Sequence, residues 1–455
     1  MTDFDLVLTG RVVLTDAVIE NGYVAVRSGL IERVGTGTPP SAAERHDFGQ
    51  AYILPGAIDA QVHSRSQKGQ EDFVWSTRAA AAGGVTTIVD MPYDDGDLIC
   101  KPDRLARKAQ TAAEQARVDF ALYATLHPSS DGAEIEDLVA AGACAFKFST
   151  FGTHPERFPR IPPQKLFQYF ARIAKTGVSA GVHNENDEFV RAAMADVEAS
   201  GITDYRAHGL SRPPIAETLA MTEIYEIGLT TGCPAHVVHC SIGRGYEIAA
   251  GYREQGGEAT VEACIHYLVL NEEEDVARLG GKAKINPPIR PKAEVESLWR
   301  HLAAGNITIV STDHVSWSED RKTDPNMLKN ASGVPGLEVL YALLLRGLEQ
   351  HGLPFTHAAR LLADNPARHF RLADKGALAV GRDADVTVMK YAPYVYDAGA
   401  SGHNIVSWSP YQGITLPWRV AATYVRGTCV FADGEVLAKP GTGRFTAPLS
   451  YRGAA

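Results

Sequence analysis

Five short segments of this chain carry side chains that bind metals or move protons. In "AIDAQVHSR" (57–65) the polar residues Asp59, Gln61, His63 and Arg65 fall at every second position, and side chains two apart on a strand share a face. "AFKFS" carries Lys147, "VHNEN" His183, "VVHCS" His239 and "STDH" Asp313. Three imidazoles, an amine and a carboxylate gathered at one point would suit a hydrolytic metal centre, where a cation lowers the pKa of a water. His-x-His in the first segment would be a two-nitrogen clamp, but Gln61 takes the first place. Its one neutral carbonyl oxygen is a poor exchange for imidazole at zinc and tolerable to a harder ion such as Mn²⁺. Lys147 sits between two phenylalanines, with Ala145 and Ser149 sharing its own face. An inward lysine is costly unless it is paired or neutralised. Either it meets an interior acid, or it reacts with CO₂ to give a carbamate whose two oxygens can bridge two cations.

These residues need a scaffold that brings distant segments together. Apolar runs recur at 56–63, 86–91, 119–126, 143–149, 178–183, 235–240, 258–264 and 307–313, with helical segments such as "PDRLARKAQTAAEQAR" and "AEVESLWRHLAAG" between them. Strands alternating with helices mean a parallel sheet, and eight of them predict a (β/α)₈ TIM-like barrel of the α/β class. A doubly wound open sheet is the rival, but no Gly-rich phosphate turn follows the first strand. Barrel active sites form at the C-terminal ends of the strands. Gln61 and His63 end the first run, Lys147 lies in the fourth, and His183, His239 and Asp313 end the fifth, sixth and eighth. Each alone reads as a core or loop residue; five at their assigned strand ends read as one site.

Both ends of the chain differ from this middle. Short β-rich runs broken by "TG", "NG" and "SG" fill the first fifty residues, and "DADVTVMK" and "VAATYVRGTCVFADGEVL" resemble them near the end. The pattern predicts hairpin turns at those dipeptides and a small β-sandwich domain from residues 1–54 plus 375–455, with the barrel over 55–374. The 455 residues exceed what one core usually supports. A net charge of −10 argues against a nucleic-acid surface. No apolar run is long enough for a membrane span, and "MTDFDLVLTG" lacks the regions of a secretory signal. Six cysteines without a CxxC pair fit reduced thiols in a cytoplasm.

The motifs together resemble the cyclic amidohydrolases (dihydropyrimidinase or hydantoinase, allantoinase and dihydroorotase) of the amidohydrolase superfamily. "LPGAIDAQVHSR", "AAAAGGVTTIVDMP", "AFKFS", "VHNEN", "RPPIAE", "VVHCS", "KINPPIR", "STDH", "SGVPGLE" and "GALAVGRDADVTV" carry the likeness nearly end to end. The resemblance implies a carbamylated Lys147 bridging two divalent ions, Zn²⁺ or Mn²⁺. His63, Lys147 and Asp313 would hold the more buried ion, with Gln61 at its margin; His183, His239 and Lys147 would hold the other. Asp313 would be the general base and acid for a metal-bound hydroxide that opens a cyclic amide, imide or ureide. A homotetramer or homodimer follows from the same likeness.

Arg65 resembles the arginine of the dihydroorotase and allantoinase branches, and its fork suits a carboxylate or ureido group; an ion pair with a loop acid is the alternative. Asn286 and Ser332 fall where hydantoinases offer backbone groups to the substrate's amide. The chain departs from those enzymes at both positions, and "MPYDDGD" lacks the asparagine typical of dihydroorotase or allantoinase, so Tyr93, Asp94 or Asp95 is expected to reshape the pocket. His236, His266 and His314 read as supporting residues, and "RPPIAE" as helix N-terminal packing. Gln61 keeps two other readings open: a single-metal hydrolase using His183, His239 and Lys147, and a non-catalytic relative serving as an interaction protein. A deaminase is disfavoured by the lack of an HxxE arrangement after the sixth strand.

Overall fold

The computed structural model describes residues 4–66, 69–94, 96–155 and 158–449. Eight parallel strands follow the eight apolar runs: β1 (Ala57–Val62), β2 (Val85–Asp90), β3 (Asp119–Ala124), β4 (Ala145–Ser149), β5 (Ser179–His183), β6 (Ala235–Val237), β7 (Ala259–Cys264) and β8 (Ile309–Ser311). They lie in sequence order. The ring closes where His314 N–H donates to the Gln61 carbonyl (3.3 Å) and His63 N–H to the His314 carbonyl (3.1 Å). Nearly every strand residue is buried, because helices cover the outside and side chains fill the inside; this is why the runs read as continuously apolar rather than alternating.

Two strands are shorter than their apolar runs. β6 stops at Val237 and β8 at Ser311, and two residues beyond each end the backbone turns left-handed, at His239 (φ 42°) and Asp313 (φ 49°). Non-glycine residues in that region carry about 1–3 kcal/mol of strain, and such residues cluster at functional sites.

The termini build one eight-stranded sheet. Its order is Glu435–Val436, Thr428–Ala432, Thr415–Val425, Val386–Val395, Ala42–Pro55, Phe4–Val13, Val18–Arg27 and Leu30–Thr36. Only Phe4–Val13 against Ala42–Pro55 is a parallel pair. The far edge folds back towards the sheet's middle: Ile31 N–H donates to the Arg382 carbonyl and Ala384 N–H to the Gly29 carbonyl, both at 2.8 Å. A buried cluster of Leu8, Val24, Ile53, Val386 and Tyr424 draws on five of these strands.

Of the three expected hairpin dipeptides only Ser28–Gly29 is a turn, with φ of 53° and 81° as a primed two-residue turn requires. Thr9–Gly10 and Asn21–Gly22 lie inside strands, the first at a shift in register. The first turn falls instead at Leu14–Ala17 (2.8 Å). Gly56 links the sheet to β1: a Cβ there would sit 2.3 Å from the Thr86 side chain, so the close approach admits only glycine. Among the described residues no helix is long and apolar enough to cross a membrane.

Candidate active site

The site grows from a latch between the first and last strands. Asp59, fully buried, accepts from Thr312 Oγ1 (2.5 Å), Thr312 N–H (3.1 Å) and Gln61 N–H (3.2 Å). That latch holds the end of β1 against the end of β8, so Gln61 and His63 meet Asp313. Gln61 Nε2 donates to Asp313 Oδ1 at 2.7 Å, and His63 Nε2 lies 3.1 Å from the same oxygen. Gln61 Oε1 is buried without a hydrogen-bond partner among the described residues. The Tyr93 ring stacks parallel to His63 at 5.9 Å.

The second pair stands on β5 and just past β6. His183 Nδ1 and His239 Nε2 are 2.9 Å apart, and His183 Nε2 is 2.8 Å from Glu185 Oε2. Glu185 also accepts from Arg212 Nη1. Burial alone would raise the Glu185 pKa, but the Arg212 charge and the His183 bond outweigh it and hold it at about 2. A permanent carboxylate must receive the Nε2 proton, which leaves Nδ1 of His183 as the lone-pair nitrogen. Burial lowers the pKa of both imidazoles, keeping them neutral as metal ligands must be.

Lys147 lines the same cavity as both pairs. Its amine is buried, has no hydrogen-bond partner among the described residues, and is pushed down to about 7 by burial against the opposing pull of Asp313 and Glu262. Neither an acid nor a carbonyl takes up this nitrogen, which is the environment a carbamate needs. The His63–Asp313 and His183–His239 pairs, the orphaned lysine and the orphaned Gln61 oxygen form a donor set that fits divalent cations. A cluster of acids elsewhere, Asp119, Asp383 and Asp385, has ligand spacing too, but Lys375 already fills it.

The cavity, about 240 Å³, lies at the C-terminal ends of the strands, and Tyr93, Phe158 and Trp317 are among its lining residues. Asn286 and Ser332 supply its polar wall, with Ser332 Oγ donating to Asn286 Oδ1 at 3.1 Å. Arg65 is not part of that lining: its Nε donates to Asp94 Oδ1. Asp95 lies outside the described residues. His314 bonds Glu71 (2.8 Å) and the Gly336 N–H (3.0 Å), and His236 bonds Thr260 (2.9 Å); His266 packs on Tyr267.

Sequence reasoning missed what the "RPPIAE" ends do. Pro214 does begin a helix, Pro214–Thr231, but Arg212 reaches Glu185, and Glu217 accepts from Ser241 Oγ (2.5 Å) and Arg290 Nη2 (2.6 Å). A charge at each end of a Pro-Pro apolar run was the available signal.

A closed barrel with this nitrogen, lysine and carboxylate set at its strand ends has the architecture of the barrel hydrolases. The Amidohydrolase family model matches residues 52–430. Allantoinase of Rubrobacter xylanophilus is 35% identical over 457 residues, covering 100% of both chains. Allantoinase of Bacillus velezensis is 32% identical over 99% of each. Among solved structures, L-hydantoinase (dihydropyrimidinase) from Arthrobacter aurescens superposes with a TM-score of 0.94 at 28% identity, covering 98% of this chain and 100% of that one. The chain belongs to the amidohydrolase family and is a hydrolase of carbon–nitrogen bonds.

Proposed function

We propose that this hydrolase opens a small cyclic ureide, a five-membered ring of the hydantoin or allantoin type. The observation that carries the reading is the buried Lys147 amine, without a hydrogen-bond partner among the described residues, in one cavity with the His63–Asp313 and His183–His239 pairs. His63 and Asp313 would hold one divalent ion, with Gln61 at its margin, and His183 and His239 the other, with Lys147 as a carbamate shared between them. Such cations lower the pKa of water towards neutrality and polarise a carbonyl.

The chain's own groups do the rest. Asp313 Oδ1, aimed by Gln61 and His63, takes the proton of the attacking water as the new C–O bond forms. It returns that proton to the ring nitrogen as the C–N bond breaks. The aromatic lining of Tyr93, Phe158 and Trp317 suits a small ring, and Asn286 and Ser332 meet its polar edge. Names of the relatives, allantoinase and L-hydantoinase, support the ring class. All six cysteines are free thiols, in keeping with a cytoplasmic enzyme, and the family likeness supports a homotetramer or homodimer.

Gln61 favours one other reading, because its amide nitrogen is committed to Asp313: a single ion held by His183, His239 and Lys147. Metal analysis of protein grown with Mn²⁺ or Zn²⁺ separates the two. About two equivalents per chain are expected, and about one would establish the single-ion reading. In assays of hydantoin, allantoin, dihydrouracil and dihydroorotate, ring opening should be confined to the five-membered ureides and abolished in Lys147→Ala, with partial return on adding small carboxylates. Full activity of Lys147→Ala would overturn the carbamate.

A further inference from the structure

We propose that Lys322 and Lys284 are positioning residues for the substrate: buried ammonium groups that hold the pocket wall of Asn286 and Ser332 by gripping its backbone carbonyls. The inference rests on the reading that this wall meets the ring.

The wall has little secondary structure of its own. A short turn, Met327–Lys329, leads into residues 330–333, which join no named strand or helix. Buried carbonyls must nevertheless find donors, and side chains supply them. Lys284 Nζ donates to the carbonyls of Leu328 (2.6 Å) and Asn330 (2.7 Å). Lys322 Nζ donates to those of Ala331 (2.8 Å), Gly333 (2.9 Å) and Lys284 (3.0 Å). The Ser332 carbonyl between them accepts from Trp317 Nε1 (2.8 Å). Five carbonyls in a six-residue stretch are thus held by side chains.

Burial pushes the pKa of both amines down, yet three acceptors around Lys322 Nζ engage all three N–H donors of an ammonium, one more than a neutral amine offers. Lys322 is 1% exposed and Lys284 7%, and neither forms an ion pair among the described residues. A cation buried without a counter-ion is a poor choice for packing, which methionine would serve better. Its advantage is directional. In a trans peptide the C=O and the following N–H point opposite ways, so drawing the Ala331 carbonyl to Lys322 turns the Ser332 N–H away from it. Lys284 couples the two halves of the wall: its carbonyl accepts from both Lys322 Nζ and Gly333 N–H (2.9 Å), and it lies two residues before Asn286.

The test uses the metal-loaded full chain and the ring the wild type opens best. Lys322→Met and Lys284→Met should each raise KM about tenfold, the effect of misplacing one hydrogen bond, with kcat and metal content nearly unchanged. Lys322→Arg, which keeps a cation, should recover much of the loss. Lys322→Ala removes the equivalent of a propylammonium ion, and adding n-propylammonium should lower its KM while leaving Lys322→Met unmoved; tetramethylammonium should do nothing. A wild-type KM in either folded methionine variant overturns the inference, and so does a KM rise that propylammonium and arginine both fail to relieve. Should Lys322→Met not fold, Lys284→Met and Lys322→Arg decide on the same criteria. A wild type that opens no ring overturns the functional reading itself, which is a separate result.

Discussion

Glu185 takes hydrogen bonds from both His183 Nε2 and Arg212, and that double engagement fixes what His183 can offer. The ring cannot flip without breaking a bond to a buried carboxylate, so Nδ1 stays turned towards His239. Groups of this kind behind metal ligands typically account for about 10–100-fold in affinity. Glu185→Gln removes the charge and strands a buried arginine that also lies over Phe151. We expect its divalent-metal affinity, measured by competition with a chromogenic chelator, to fall by that order. An unchanged affinity would make the pair purely structural. Gln61 works differently: its amide nitrogen aims the Asp313 carboxylate, a role invisible in a sequence where it registers only as a missing histidine.

At the scale of elements, the strands were the most legible part of the molecule. Each apolar run became a strand because both of its faces are covered, and the polar residues Gln61, His63, Lys147, His183, His239 and Asp313 line one cavity because the runs stop where the barrel opens. Loop geometry was not legible, since it depends on contacts between segments with no shared period. Arg65 illustrates this: its spacing after His63 left a substrate contact and an ion pair with a loop acid both open, and only the fold brings it to Asp94, on the hairpin that follows β2. That hairpin depends on a helix residue. Lys108, fully buried on Pro102–Gln115, bonds the carbonyls of Met91 and Tyr93 (2.6 Å each) and the Asp90 carboxylate (2.5 Å), whose other oxygen accepts from Ser64 N–H (2.9 Å). One amine therefore ties β2, the hairpin carrying Tyr93 and the loop after His63. Lys108→Met should destabilise the fold by about 3–5 kcal/mol, because Asp90 is left as an uncompensated buried charge. KM should rise as Tyr93 loses its place over His63. Urea unfolding and steady-state kinetics measure the two effects, and normal values in both would dismiss the clamp.

A buried cation, Lys375, is one of the ties between the barrel and the terminal sheet. Lys375 Nζ lies 2.5 Å from Asp119, which opens β3, and 2.8 Å from both Asp383 and Asp385, the latter leading into strand Val386–Val395. Arg426, just past Thr415–Val425, adds a second bond to Asp119. Burial would raise the Asp119 pKa, but Lys375 and Arg426 together hold it below its ordinary 3.8. A carboxyl with a depressed folded pKa stabilises the fold above its unfolded value, and that contribution is lost as pH falls through the folded one. Lys375→Met reverses the sign. Without Lys375 the Arg426 guanidinium pairs with Asp119 alone, and burial with repulsion from Asp119 raises the pKa of Asp385 further above the unfolded value, so the variant gains stability as falling pH supplies protons. At pH 7 the variant should be less stable than wild type by about 3–5 kcal/mol, the usual effect of breaking a buried pair. That gap should narrow towards about pH 4.5, because the acids of the variant take up more protons than those of the wild type, where Asp119 stays ionised and Lys375 limits the rise that burial gives Asp385. Urea midpoints measured at several pH values test this directly. A gap that stays constant with pH would show that Lys375 acts through packing, not through the charges it gathers between the two sheets.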